Sequence, residues 1–333
     1  MSVRFGVAAT TEELVSLAPL LNIRPDTACL RLASERDRQS ECWRELLDEV
    51  DGLLVVGDPR RAPRATLPGI LARDRGGRPV VLSWVPNLGV AALTRFASTA
   101  AEVSTRPAGI GPVALLSQWD RRALFVVRRT ERFFERHGSV PFVRWSGERI
   151  HREALLDALG SGPGVALYAG HGRSIGWSGY ASIGARHVRN LSGRPCGLVV
   201  SAACQTASRC LVALSFAEAW VTTGRAAASV GAVEATTHES NRHWVTRFCV
   251  ALTEGAATVD RAVVAAFQDD PVANASHRLI GDPIAAMSGA ADAWSKMQAV
   301  HAPGPPGGAV IERPALGGMR IGRFRPDVVE HAS

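Results

Sequence analysis

Two residues with reactive side chains end short apolar runs of this sequence. Cys204 closes the run that begins at Leu198, and His171 closes the run that begins at Val165. Both runs are short and rich in strand-forming residues, so each is predicted to be a buried β-strand. Side chains at the carboxyl ends of neighbouring parallel strands converge on one crevice. A thiol and an imidazole that meet there would form a nucleophile and its general base.

The residues beside this pair suit acyl transfer. Cysteine attacks as the thiolate, and histidine is its usual partner because imidazole titrates near neutral pH. Gly172 follows His171 and would let its backbone N–H approach a substrate carbonyl. Together with the N–H of Cys204 it would form an oxyanion hole, in which each donor contributes about 3–4 kcal/mol. Taken singly, His171 suits an ordinary turn and Cys204 a buried thiol, but their joint placement favours catalysis.

The remaining pattern predicts a mostly parallel sheet with helices on both faces, because short strands alternate with helices along the chain. The predicted strands cover residues 3–9, 28–32, 53–57, 79–85, 113–117, 140–145, 165–171, 198–204 and 227–233. The predicted helices cover residues 12–21, 36–50, 120–137, 148–159, 216–223, 241–252 and 259–267.

Glycine and proline mark the expected domain boundaries. Residues 106–112 form a Gly/Pro-rich break, which is typical of a linker. We therefore predict an N-terminal α/β subdomain over 1–105 and a catalytic domain over 106–290. Residues 291–333 are rich in Gly and Pro and are predicted to be a tail.

Composition excludes several classes of protein. The chain has 333 residues, of which 46% are hydrophobic, so it can bury a sizeable core. None of its six cysteines forms a Cys-x-x-Cys pair, so a zinc site is not predicted and no cofactor is implied. No apolar run reaches the roughly 18 residues of a membrane span, and no secretory signal is visible. The expected location is therefore the cytoplasm.

The net charge of +7 comes almost wholly from arginine. Basic charge can indicate nucleic acid or an acidic partner. These arginines are scattered and lack an aromatic–basic RNA signature, so nucleic acid is not the expected partner.

Four short motifs carry a resemblance to a known group of enzymes. The segments YAGHG (168–172) and VVSAACQTA (199–207) resemble the two signatures of caspase-fold cysteine peptidases. The second is similar to that of the CHAT group, which is related to caspases and separases. FAEAW (216–220) and LIGDP (279–283) resemble the gingipain family, as does an α/β subdomain ahead of the catalytic one. The resemblance covers residues 110–285 well and the first 105 residues only in architecture.

This resemblance implies a caspase-like α/β/α sandwich in which His171 and Cys204 form the catalytic dyad. It also implies that the amides of Gly172 and Cys204 bind the oxyanion. In this fold the loop after the first catalytic strand often supplies a charge to the S1 pocket. Asp120 lies there and would favour a basic P1 residue through a charge-assisted hydrogen bond. The alternative is that Asp120 caps the helix predicted over 120–137.

Further substrate-binding candidates lie near the expected cleft. Gln205 follows the nucleophile, and Trp177 and Trp244 would either wall a side-chain pocket or pack in the core. The segment after the strand predicted over 227–233 supplies three more candidates, which are Glu234, His238 and Glu239.

Together these features predict a cysteine endopeptidase that acts on a protein substrate. A bacterial defence or signalling cascade with an activating protein partner is the setting that the resemblance implies. The alternatives are a non-catalytic scaffold that binds a protein partner and a small-molecule amide hydrolase with the same dyad. Residues 205–215 are few, and Arg209 is the only basic residue among them, so we expect an active single chain without cleavage there.

Overall fold

One large, mostly parallel β-sheet runs through the described part of the chain, which is residues 4–32, 40–147 and 150–301 of a computed structural model. The strands in chain order are β1 (Phe5–Ala9), β2 (Ala28–Arg31), β3 (Gly52–Gly57), β4 (Leu71–Arg73), β5 (Pro79–Pro86), β6 (Val113–Ser117), β7 (Phe142–Ser146), β8 (Val165–Ala169), β9 (Gly172–Arg173), β10 (Gly176–Trp177), β11 (Ile183–Gly184), β12 (Cys196–Ala202), β13 (Ala226–Ala232) and β14 (His277–Gly281). The large sheet has the order β2-β1-β3-β5-β14-β13-β12-β8-β6-β7, and β4 pairs with β5. Strands β9, β10 and β11 form a separate small antiparallel sheet.

Helices cover both faces of the large sheet. They are α1 (Thr11–Ser16), α2 (Ala18–Leu21), α3 (Glu41–Glu49), α4 (Pro63–Thr66), α5 (Val90–Ser104), α6 (Arg121–His137), α7 (Arg152–Leu159), α8 (Gly179–Ser182, one left-handed turn), α9 (Ala185–Arg189), α10 (Phe216–Thr222), α11 (His238–Thr253), α12 (Val259–Phe267), α13 (Pro271–Ser276) and α14 (Ala293–His301). One core cluster includes Val127 of α6 and Phe248 of α11, and the other includes Leu155 of α7 and Val188 of α9. The predicted α/β/α arrangement with a mostly parallel sheet is therefore confirmed.

Strand β14 joins the two halves of the chain into this one sheet. It pairs antiparallel with β13 and parallel with β5, where Leu279 lies opposite Ser83. Strands β1, β3 and β5 pair in parallel, as predicted for the N-terminal half. The sheet continues across the expected boundary at 105/106, and all described residues belong to one compact unit. The three-part division stays a prediction, and residues 302–333 of its tail lie outside the described residues.

The sequence patterns did not predict β14 or the long helix α5. The residues of β14 include His277 and Arg278, which interrupt an apolar run, and both are buried. Burial lowers the pKa of His277 to about 4, so the ring is neutral, and it hydrogen-bonds the carbonyl of Ala273. Arg278 donates to the carbonyl of Ala275. Because Nδ1 of His277 and the guanidinium of Arg278 find partners inside the protein, a strand forms where the sequence suggests exposure.

Several predicted helix boundaries shift. The helix predicted over 12–21 divides into α1 and α2 at Leu17, next to the proline in the first turn of α2. The helices predicted over 36–50 and 148–159 begin at Glu41 and Arg152; residues 33–39 and 148–149 lie outside the described residues. The loop expected after His171 contains the small sheet and α8.

A buried ion pair ties the N-terminal residues to the LIGDP segment. Arg24 donates to both carboxylate oxygens of Asp282, at 2.8 and 2.7 Å. The Asp282 side chain is wholly buried, and its carboxylate also accepts from the N–H of Ile284. Such two-pronged guanidinium–carboxylate contacts are directional, so this pair holds the turn after β14 in place.

In the described ranges, no helix is both long and apolar enough to span a bilayer.

Candidate active site

The register of two central strands brings the predicted dyad to one edge of the sheet. Strands β8 and β12 are parallel neighbours, and Ala169 lies opposite Ala202 at their carboxyl ends. The N–H of Gly170 donates to the carbonyl of Ala202 at 3.3 Å, which carries the pairing one residue further. His171 and Cys204 are the residues that follow. His171 and Cys204 therefore both lie at the carboxyl edge of these adjacent strands.

Cys204 is half-buried, and its sulfur contacts the segment that follows β13. The N–H of Thr236 donates to Sγ at 3.4 Å, and Sγ lies 3.5 Å from the Thr236 carbonyl oxygen. The sulfur of Cys204 is therefore held between a backbone N–H donor and a backbone carbonyl acceptor of the same residue, Thr236. The backbone N–H of Cys204 has no acceptor among the described residues, so it is available to a substrate oxyanion.

His171 is exposed, and its backbone is held on both sides. Its N–H donates to Oε1 of Gln118 at 2.9 Å, and its carbonyl accepts from the hydroxyl of Tyr168 at 3.0 Å. The imidazole faces the ring of His238 edge-on, with ring centroids 5.9 Å apart. These contacts fix the main chain and leave the imidazole open to solvent and substrate.

In the described residues, no hydrogen bond joins the Cys204 thiol to the His171 imidazole. Catalytic hydrogen bonds are often long in unliganded enzymes and tighten around the substrate. The thiol and the imidazole thus follow adjacent strands. How closely the imidazole approaches the Cys204 sulfur depends on the rotation of the His171 side chain.

Gly172 packs directly against the Cys204 segment. A Cβ at this position would lie 2.8 Å from the carbonyl oxygen of Cys204, from Cβ of Ala203 and from Cγ2 of Thr206. Two of these neighbours are backbone or Cβ atoms, which cannot move aside without moving the chain. Only glycine therefore lets β9 pass this close to Cys204.

We expect Gly172→Ala to lower kcat by about 100-fold, because displacing β9 from Cys204 misplaces an oxyanion donor. Steady-state kinetics on a peptide substrate measures the loss, and circular dichroism checks the fold. Gly76→Ala is the matched control, since a Cβ there meets only Oδ1 of Asp74, at 3.4 Å. Equal activity of the two variants would contradict this role of Gly172.

Asp120 is the N-cap of α6. Its Oδ1 accepts from the N–H groups of Arg122 and Ala123, at 2.9 and 3.2 Å. These hydrogen bonds, that from Ala123 above all, lower the pKa of Asp120, and its electrostatic interactions with His238 and His171 lower it further. Asp120 thus has the geometry of a helix cap. Its carboxylate is ionised and interacts electrostatically with His171.

Trp177 and Trp244 are buried side chains, with 1% and 0% exposure. Trp177 stacks on Tyr168 with ring centroids 4.6 Å apart and donates from Nε1 to Oγ of Ser201. Trp244 stacks on Phe267 at 5.1 Å. Both placements match the core-packing alternative rather than an open pocket wall.

Gln205 follows Cys204 in an uncommon backbone conformation, with a φ of 57°. Its N–H donates to the carbonyl of Glu234, whose side chain pairs with Arg64 at 3.3 Å. A non-glycine residue with positive φ is often found at functional sites, where surrounding contacts hold it. This turn links the Cys204 segment to the segment after β13.

Two residues of the site were not singled out from the sequence. Gln118 orients His171, and Thr236 contacts the sulfur of Cys204. Both come shortly after strands, β6 and β13, whose carboxyl ends lie at the same edge as the dyad. The strand-end rule that found Cys204 would have found them too, once the strand order was known.

No group of three or more metal-ligating side chains is present in the residues that the structure describes. The reactive groups at this edge of the sheet include the Cys204 thiol and the imidazoles of His171 and His238.

Comparison with known proteins shows which family and which solved structures this chain is similar to. The model of peptidase family C25 matches residues 125–288, which include both His171 and Cys204. The structure is similar to that of gingipain R, an Arg-specific cysteine proteinase, at 13% identity and a TM-score of 0.66, covering 85% of this chain and 78% of that one. It is similarly close to the complex of Porphyromonas gingivalis RgpB pro- and mature domains, at 16% identity and a TM-score of 0.63, covering 84% and 78%.

Among curated proteins, no sequence matches this chain. At these low identities the solved structures establish the fold, and the family model adds the class of chemistry. The chain is a cysteine peptidase of caspase-like fold, and its residues 125–288 are similar to peptidase family C25.

Proposed function

We propose that this peptidase is an endopeptidase with Cys204 as nucleophile and His171 as acid–base partner. The register that places β8 beside β12 carries the proposal, because it brings these two residues to one edge. The contact of Gly172 with the Cys204 carbonyl supports it.

In this mechanism the Cys204 thiolate attacks the scissile carbonyl carbon, and the N–H groups of Gly172 and Cys204 bind the resulting oxyanion. Protonated His171 then gives its proton to the departing amine as the C–N bond breaks. Water, deprotonated by His171, attacks the thioester and releases the second product. The C–S bond of the thioester then breaks, which regenerates the Cys204 thiolate beside protonated His171, so the complete cycle returns the enzyme to its starting protonation state.

Active-site labelling tests the proposal. A peptidyl acyloxymethyl ketone with Arg at P1 is expected to alkylate Cys204, as located by peptide mass spectrometry, and to react far more slowly with the His171→Ala variant. The same reagent with Asp at P1 is the specificity control. Alkylation of the exposed Cys210 instead of Cys204 would contradict the assignment.

The preference for a basic P1 residue is part of the proposal. Asp120 is ionised and lines, with Glu239 and His238, a cavity beside the dyad. Gingipain R, which shares this fold, is Arg-specific by name. A carboxylate at this place would bind a guanidinium or ammonium group of the substrate.

Asp120→Ser is expected to lower kcat/KM for Arg substrates about 10–100-fold, because a hydrogen bond to a charged group contributes about 1.5–3 kcal/mol. Serine caps helices as well as aspartate does, so thermal stability should change little. Glu239→Gln is the parallel variant. If only Glu239→Gln loses the preference for Arg at P1, then Glu239 rather than Asp120 is the S1 carboxylate.

The setting proposed for this activity rests on the resemblance of its motifs. It comprises a protein substrate, an activating protein partner and a role in a bacterial defence or signalling cascade. A cytoplasmic location stays a separate prediction, which the resemblance does not supply. The relationship to the CHAT group also stays a prediction.

A further inference from the structure

A long groove leaves the candidate active site between two helices. The part nearer the candidate active site is a cavity of about 1020 Å³, and the part farther from it is a cavity of about 550 Å³. Both are lined by α6 and α11, and they share Phe125 and Arg132. We call the two together the α6–α11 groove. Both helices begin next to the dyad, at Arg121 and His238, so the groove starts at the dyad and runs down one face of the sheet.

The charge of the α6–α11 groove is divided along its length. Its two carboxylates, Asp120 and Glu239, lie at the end next to the dyad. Arg121, Arg122 and Arg242 lie at that end too, at the starts of α6 and α11, whereas the charged residues that line the distal part are all arginines. The lining arginines are Arg121, Arg122, Arg128, Arg129, Arg132, Arg136 and Arg242.

None of these arginines forms an ion pair within the described ranges of the chain. Other arginines of the described residues do form ion pairs. Arg144, for example, pairs with Glu131 at 3.0 Å, and Arg247 pairs with Asp269 at 3.2 Å. A row of guanidinium groups without carboxylate partners creates a positive potential that attracts an anionic ligand.

Apolar surface is also exposed in the groove. Trp119 is 60% exposed and Phe125 is 49% exposed, although both are large aromatic side chains. Exposed aromatic residues beside arginine are typical of surfaces that bind protein segments. The ligand should therefore combine acidic with apolar side chains.

We propose that the α6–α11 groove binds an acidic segment of the protein substrate, several residues away from the scissile bond. This inference rests on the proposed endopeptidase function of the same chain. Helix α6 has 17 residues and is therefore about 25 Å long. An extended segment of about seven residues spans that distance. The substrate thus presents a basic P1 residue to the carboxylate end and an acidic run to the arginine end.

A single-stranded nucleic acid is the competing anionic occupant. The carboxylates at the dyad end disfavour it, because phosphates would lie next to Asp120 and Glu239 along a continuous strand. An acidic polypeptide avoids this repulsion, since its charge can change sign between P1 and the distal segment. The division of charge therefore favours a polypeptide.

Binding and cleavage are tested separately. The first probe is a fluorescein-labelled peptide of alternating Glu and Leu residues without Arg or Lys, and its control has Gln in place of Glu. Fluorescence anisotropy with the full chain should show binding of the Glu peptide that weakens as salt is raised. We expect the double variant Arg128→Glu with Arg132→Glu to bind the Glu peptide about tenfold more weakly or worse. The two introduced carboxylates would repel the acidic peptide that the arginines attract.

The matched control is Arg186→Glu with Arg189→Glu on α9. These two arginines are also exposed and also lack an ion pair among the described residues, but they line a different cavity. Their variant should bind the Glu peptide within about twofold of the parent chain. Loss of binding in the α9 variant, with binding kept in the groove variant, would overturn the proposal.

The second measurement compares two substrates with Arg at P1, one extended by the Glu–Leu run and the other by its Gln–Leu counterpart. The acidic extension should raise kcat/KM about tenfold, and the groove variant should lose this gain while cleaving the Gln substrate normally. Equal cleavage of both substrates by the parent chain would overturn the proposal. If a single-stranded oligonucleotide of equal charge binds the same arginines more tightly than the Glu peptide does, the ligand of the groove is a nucleic acid and the proposal is overturned. Peptide binding without any cleavage would support the groove and contradict the endopeptidase function.

Discussion

Cys204→Ala is expected to abolish peptide-bond cleavage while leaving the fold intact. The thiol is the proposed nucleophile, and its loss should lower kcat by about 10⁴-fold or more, as in other nucleophile–base pairs. His171→Ala should lower kcat by a similar amount. The Cys204 side chain is small and half-buried, so its truncation removes little packing. Activity on an Arg-P1 peptide and thermal unfolding are the two measurements.

The sharper form of this prediction concerns the double variant. Residues that act as one unit are strongly non-additive, so Cys204→Ala with His171→Ala should be no slower than Cys204→Ala alone. Cys210→Ala is the control, because Cys210 is an exposed thiol on the same segment. Normal cleavage by Cys204→Ala, or multiplicative losses in the double variant, would show that these residues are not a catalytic pair.

The second large effect is expected at a buried ion pair beside the nucleophile. Arg209 and Glu218 have side-chain exposures of 8% and 0%. Arg209 Nε donates to Oε2 of Glu218 at 2.8 Å, and both the N–H and the hydroxyl of Ser215 donate to the same oxygen at 2.8 Å. Trp84 donates to Oε1 at 3.3 Å, and Arg209 also donates to the carbonyl of Pro59. This network ties the segment after Cys204 to the N-terminal half.

Glu218→Gln should lower the free energy of unfolding by about 3–5 kcal/mol, because it leaves the Arg209 charge buried without its partner. Activity should fall as well, since the same contacts hold the segment that follows Cys204. Urea unfolding followed by tryptophan fluorescence measures the loss of stability.

The control is an exposed ion pair, Arg152 with Glu153, whose side chains are 28% and 74% exposed. Glu153→Gln should change stability by less than about 1 kcal/mol. Arg209→Met in the Glu218→Gln background should recover part of the lost stability, because it removes the unpaired charge. A change below about 1 kcal/mol in Glu218→Gln would mean that the network does not hold this segment.

The burial of Arg209 also bears on control by proteolysis. Within residues 205–215, Arg209 is the residue after which a protease specific for basic side chains would cut. Its side chain, however, is buried in the protein. A protease that reads a basic side chain would have to pull it out of the ion pair first. The expectation of an active single chain is therefore consistent with the structure, and intact-mass measurement of the active enzyme tests it.

Local patterns of the sequence were sufficient for the strands and helices that place the dyad. The runs before His171 and Cys204 are apolar and bounded by turns, and they form β8 and β12. Asp120 lies at the start of an amphipathic helix and caps α6. These features depend on neighbours within a few residues, so the sequence alone determines them. The motifs also indicated the caspase-like fold, which the structure confirms.

Only the tertiary structure decided where several of these residues lie relative to the surface. Trp177 and Trp244 follow the expected cleft segments in sequence but are buried, and Gln118 and Thr236 reach the dyad from strands distant in the chain. Strand β14 joins the two halves although its sequence contains buried His277 and Arg278. Each of these outcomes depends on contacts between residues far apart in sequence. Periodicity cannot reveal such contacts, because it records only which side of an element is apolar and not what packs against it.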